Sequence, residues 1–155
     1  MIVQLLAVTA TVLSGLCAGI FYAFSTGVMP GLGRSDDHVF VTGMRSINRA
    51  VLNPLFIGAI FIAPLALMGT SVAAFTQGQT VVAVLFLAAL AASVGGVALV
   101  TIRGSVPLND RLETSLDRDA DTRRAFEARW VRLNHVRTVF ATATLVLAGV
   151  GTVAV

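Results

Sequence analysis

Arg103-Gly-Ser-Val-Pro-Leu-Asn-Asp110 opens, and Trp130-Val-Arg-Leu-Asn-His-Val-Arg137 closes, the one long polar stretch of this chain. Eight of the eleven arginines lie within it, with the single tryptophan and one of the two histidines. Apolar sequence long enough to cross a bilayer flanks it, Val81 to Ile102 before it and about Val136 to Val155 after it. A shorter polar segment, 31–50, separates two further apolar runs, Ile2 to Met29 and Val51 to Phe75. Of the 155 residues 56% are hydrophobic and 12% charged, against about 25% charged in a soluble domain. The reading is all-α: a four-transmembrane-helix bundle, one integral membrane domain over 1–155, with two amphipathic helical segments on one side.

The charges sort by side. The chain has no lysine, and every arginine, all eight acids and both histidines fall in 31–50 or 103–137. Four spans put those two segments on the same face of the bilayer. The positive-inside rule makes that face cytoplasmic, with both termini outside, in a multi-pass protein of the cell's inner (plasma) membrane. The first residues lack a basic region, so no cleaved signal peptide is expected. Cys17 is the only cysteine, which excludes an internal disulfide and reads as a small packing residue.

Along the chain, Gly15 and Gly19 offer a close-packing face with Ala18 alongside. Tyr22, Ser25 and Met29 share a face, and Tyr22 reads equally as an interfacial anchor or a site residue. Pro30-Gly31 is predicted to end the first helix. Residues 35–50 are predicted helical, with Ser35 as N-cap and an apolar stripe of Phe40, Met44, Ile47 and Val51. His38, Thr42, Arg45 and Arg49 take the opposite face, and Asn48 the border. In the second span Asn53 needs a hydrogen-bond partner, and Pro64 frees the carbonyl of Ile60 and opens space between helices. Thr76 to Thr80 is a tight turn. Ala88, Ala92 and Gly96, and Ala91 with Gly95, make the third span the most closely packed. Arg103 marks its exit, Pro107 and Asn109 a turn, and a new helix is expected from about Arg111. On that helix Leu116, Ala120, Phe126, Trp130 and Leu133 share a broad face, and Asp119–Arg123 and Asp121–Arg124 form pairs.

Several chemistries drop out. Two histidines and one cysteine without paired spacing argue against a structural zinc or di-iron site, and nothing marks a haem pocket. Glycine pairs occur only within the spans, so there is no phosphate-binding loop. The arginines are matched by acids and serve topology, so no nucleic acid is expected. A transporter would want charge buried within the spans, which carry it only at their ends. What remains is a polar group at one mouth of the bundle. Trp130, Asn134 and Arg137, at i, i+4 and i+7, project from one helical face. A ring, an amide and a fixed cation suit a planar, oxygen-bearing aromatic, whose enolate or phenolate oxygen the cation can hold. His135 is turned about a quarter turn or more from that face, yet it is the best general base by intrinsic chemistry. The same residues also suit plain interfacial anchoring, with tryptophan at headgroup level and Arg137 on lipid phosphates.

Four pieces carry a resemblance: Phe21–Pro30, Met44-Arg-Ser-Ile-Asn-Arg-Ala-Val-Leu-Asn-Pro-Leu-Phe56, Val106-Pro-Leu-Asn-Asp-Arg-Leu112 and Trp130-Val-Arg-Leu-Asn-His-Val-Arg-Thr138. In that order, over nearly the whole chain, they resemble the anthrone oxygenase-like family of small four-helix membrane proteins. The resemblance implies oxidation of an anthrone-type aromatic to a quinone by O2, with no flavin, metal or other cofactor. Asn48, Asn109, Trp130, Asn134 and Arg137 stand at its motif positions. The expected catalytic residues are His135, Arg137 and Asn134, with His38 as an alternative base. Trp130, Asn109, Asn48, Arg45 and Tyr22 are expected to bind substrate. The expected partners are a small hydrophobic aromatic, O2 and membrane lipid, with self-association left open. The competing reading is a non-catalytic membrane subunit that binds a quinone, a lipid or a protein through the same mouth.

Overall fold

The computed structural model describes residues 1–155, which form five helices and no strand. They are α1 (Ile2–Leu32), α2 (Asp37–Val51), α3 (Pro54–Thr76), α4 (Thr80–Thr114) and α5 (Asp119–Val153). All but α2 are long and apolar enough to cross a membrane, so this is a four-span, multi-pass membrane protein. Around the bundle the order is α1, α3, α4, α5, with α5 closing back on α1.

At about 1.5 Å per residue, the 35 residues of α4 and of α5 each reach ~50 Å, against a hydrocarbon core of ~30 Å. The surplus of both helices lies at the charged end, where α2 packs against it. Met29, Phe40, Met44, Leu108, Phe126 and Trp130 form the apolar centre of this cap. At the bare end Val3, Leu67, Ala74, Val82 and Phe86 make a separate core. Gly78 turns α3 into α4 at φ +74°, a conformation that only glycine adopts without strain. Gln79 N–H then closes on the carbonyl of Ala74 at 3.0 Å, satisfying the end of α3.

Two prolines do not end helices as expected. α1 runs through Pro30 to Leu32, and α4 runs through Pro107 to Thr114. A proline ring collides with the carbonyl four residues back and offers no N–H. Here a widened π-helical turn precedes each one, Phe24–Val28 before Pro30 and Thr101–Ser105 before Pro107, and absorbs the conflict. The break falls later, at Ser115–Arg118, so no new helix begins near Arg111. Leu116 lies in that break and is fully exposed rather than part of an apolar face.

Other local expectations shift by a residue or a face. Asp36, not Ser35, caps α2, its carboxylate accepting from Val39 N–H at 2.8 Å. Ser35 instead donates back to the carbonyl of Leu32. Asn53 finds its partner in α3 itself, accepting from the N–H groups of Leu55 and Phe56 at 3.0 Å each. Asp119 pairs with His38 rather than Arg123, while Asp121 does meet Arg124 at 3.4 Å. On α4 the small residues divide between an inner and an outer face. Gly96 is buried so tightly that a Cβ there would overlap the Phe140 ring, whereas Ala88, Ala91 and Gly95 face outward. On α1, Gly15 meets Leu145 of α5, and Gly19 has open space before it.

Candidate functional site

Where the charged end meets the bundle, α1, α3, α4 and α5 do not close on one another. A cavity of about 250 Å³ lies between them, with α2 contributing Asn48 and Val51 at its edge. Nine of its 17 lining residues are hydrophobic, so it suits an apolar body held by a few polar groups. α1 supplies Phe21 and Phe24 from the turn around its π-helical segment, and α3 supplies Phe56 and Ile60. Ile60 is the residue whose carbonyl Pro64 leaves without its helical donor.

The polar wall comes from α4 and α5. On α4, Thr101, Ser105, Asn109 and Glu113 recur every fourth residue and all line the cavity, with Asp110 beside them. The stripe is unbroken because the helix continues past Pro107. On α5, Trp130, Asn134 and Arg137 face the same space, as their spacing implies. Trp130 donates its indole N–H to Asn109 Oδ1 at 2.9 Å, which ties the two walls together. Its ring packs on Phe126 and Phe24, at centroid distances of 6.1 and 5.4 Å. Asn134 donates through Nδ2 to the Phe21 carbonyl at 2.9 Å and to Ser25 Oγ at 2.8 Å. Its Oδ1 accepts from Arg137 Nη2 at 3.0 Å.

Arg137 is only 6% exposed and pairs with no carboxylate. Its guanidinium carbon stands 4.7 Å from the Phe21 ring centre and 5.2 Å from that of Trp130, so aromatic faces and the Asn134 amide oxygen supply the negative potential in contact. Nε is buried without a partner. Asn48 Nδ2 and Ser105 Oγ are buried and unpartnered in the same way. The one other such atom, Gln79 Oε1, belongs to the turn at the opposite end. A membrane protein leaves polar groups unsatisfied only at a cost of several kcal/mol each. Three residues that each carry such an atom line this one cavity, which marks it as a place suited to a polar guest.

Residues 52–147 match the family described as anthrone oxygenase. The chain belongs to the anthrone oxygenase family. No curated protein and no solved structure matches it. The matched interval begins just before α3 and ends within α5, so it includes the polar walls of α4 and α5 and leaves α1 and α2 outside. Membership supports an oxygenase-type function at the level of the family.

Of the residues singled out in the sequence, the cavity gathers Asn48, Asn109, Trp130, Asn134 and Arg137. His135, Arg45 and Tyr22 are not among its walls. His135 follows Asn134 round the helix and is exposed on the outer side of α5. Arg45 is a fastener: its Nε donates to the Leu112 carbonyl at 2.9 Å and its Nη2 to that of Ser115 at 2.8 Å, closing the end of α4. Tyr22 is 59% exposed on the outside of α1. His38 is exposed beside Asp119, 2.8 Å away, on the outside of the cap. Thr101, Ser105, Asp110 and Glu113 are the cavity residues that sequence reasoning missed. For all but Asp110 the signal was the four-residue polar repeat, which an assumed turn at Pro107 cuts in two.

Proposed function

We propose that this protein oxidises a planar, anthrone-type aromatic to the corresponding quinone with O2. One observation carries the reading: Asn48, Ser105 and Arg137, each with a buried, unpartnered polar atom, line one mostly apolar cavity, and no carboxylate pairs with its cation. An aromatic ketone fits that chemistry. Its flat rings take the space between Phe21, Phe24 and Phe56, and its oxygen turns to Arg137. Loss of a proton from the methylene opposite the carbonyl sends negative charge onto that oxygen. The guanidinium and the Asn48 amide then stabilise the enolate more than the ketone. The electron-rich methylene carbon then reduces O2 and bonds to one of its oxygens, and the resulting peroxide loses water. Both methylene hydrogens leave in that water, one oxygen stays as the new carbonyl, and one O2 is consumed per quinone.

The test is oxygen uptake with a simple anthrone by protein purified in detergent, with and without chelator. The expected result is one O2 consumed per quinone formed, unchanged by chelator. A chain that binds the quinone, read as quenching of its single tryptophan, yet consumes no oxygen would be a binding subunit instead. The charged end is read as cytoplasmic, on the arginine bias of 31–50 and 103–137. A cysteine at exposed Ser46, in a Cys17→Ala background, is expected to escape an impermeant thiol reagent in intact cells. Labelling from outside would reverse the orientation.

A further inference from the structure

We infer that Asp110 is the base that takes the methylene proton; the inference rests on the oxidase reading above. The reaction needs two polar groups at opposite ends of the substrate's central ring. The carbonyl oxygen lies on one side of that ring and the methylene directly across from it. With the oxygen at Arg137, the methylene points away from the deep wall and toward the mouth. Trp130 marks the level of the mouth, because its indole N–H reaches Asn109 on α4. Arg137 follows Trp130 by seven residues, about 10 Å along the helix axis, and its side chain reaches part of the way back. Asp110, next to Asn109, therefore lines the cavity on the mouth side of the cation, the side to which the methylene is directed.

Elimination leads to the same residue. The charged side chains lining the cavity are Asp110 and Glu113 of α4 and Arg137 of α5; α1 and α3 contribute none. Glu113 is taken by Arg49 of α2, whose Nε lies 2.8 Å from Oε1 and whose Nη2 closes on the same oxygen. Asp110 has no ion pair. Both histidines stand outside the cavity. Asp110 is also exposed, so the same carboxylate borders the cavity and the water that must carry the proton away.

The experiment compares Asp110→Asn, Asp110→Glu, Glu113→Gln and His135→Ala with the unaltered protein. It follows quinone formation against pH, with tryptophan quenching by an anthraquinone as the measure of binding. Asp110→Asn is expected to bind the quinone normally and to lose about 100-fold or more in kcat. Its acid limb should disappear, leaving a slow rate that rises with hydroxide. Asp110→Glu should recover part of the turnover. If Asp110→Asn does not bind the quinone, Asp110→Glu decides: turnover retained supports the assignment and turnover lost overturns it. An Asp110→Asn protein with normal kcat and an intact acid limb overturns it, as does turnover lost in Glu113→Gln or His135→Ala but kept in Asp110→Asn. An unaltered protein that oxidises no anthrone removes the oxidase reading and the base with it.

Discussion

Arg137→Met is expected to lower turnover by about 10²–10³-fold, the loss typical of removing one preorganised group that stabilises developing charge, and to leave the unfolding temperature unchanged or higher. The two halves of that expectation come from the same geometry. A guanidinium at 6% exposure, without a carboxylate and with Nε unpartnered, is a poor contributor to stability. Replacing a buried ionic group with an apolar one of similar volume is often neutral or stabilising by ~1–4 kcal/mol. Against that stand one lost hydrogen bond, from Nη2 to Asn134 Oδ1, and the two cation contacts with the Phe21 and Trp130 rings. An ionisable group kept at such a depth reads as functional. Arg137→Lys keeps the charge but lacks the planar fork, so its turnover should fall between the two. Kinetics and thermal unfolding in the same detergent check both halves. A lower unfolding temperature with normal turnover would make Arg137 an internal strut and detach it from the chemistry.

The four spans and the gathering of all charge at one end were legible because both are one-dimensional properties. Hydropathy over about twenty residues and the placement of arginines need no knowledge of neighbours. The Trp130–Asn134–Arg137 face was legible for a similar reason, since a helix repeats every 3.6 residues whatever surrounds it. The same repeat turned His135 away from that face, and the structure finds it exposed. What could not be read was the behaviour of Pro30 and Pro107. Proline is a breaker by local chemistry, but a π-helical turn just before it lets the helix continue, and no sequence signal announces that turn. The misreading at Pro107 had a consequence for the site. It placed Asn109 in a loop and separated Thr101 and Ser105 from Glu113, hiding a polar stripe that runs straight down the cavity. Arg45 shows the other kind of limit. Its side chain is equally suited to a ligand or to bare carbonyls, and only the helix end formed by Leu112 and Ser115 decides between them.

Arg123→Ala is expected to cost about 1–3 kcal/mol, the scale for breaking a partly buried network of charged hydrogen bonds, and to loosen α2 before the spans unfold. Arg123 of α5 is one of three arginines that fix α2 and the segment leading into it. Its side chain, 16% exposed, donates to the carbonyls of Gly33 at 2.8 Å and Ser35 at 2.9 Å. It also meets Asp37 at 3.1 Å and Glu127 at 2.7 Å, and its guanidinium lies 4.6 Å from the centre of the Phe40 ring. Arg45 holds the middle of α2 to the end of α4, and Arg49 ties its last turn to Glu113. Without Arg123 the first of these attachments fails, and two carbonyls and two carboxylates lose a donor together. Lysine cannot replace a fork that serves four acceptors, so Arg123→Lys should rescue little. Because α2 carries Asn48 to the cavity edge, loosening it should weaken substrate binding more than it slows chemistry, raising KM with a smaller change in kcat. Hydrogen exchange in detergent should show the amides of Asp37–Val51 opening while those of α3 stay protected. Unchanged exchange across α2 would mean that Phe40, Val41 and Met44, packed on Leu108, Leu112 and Phe126, hold the cap by burial alone.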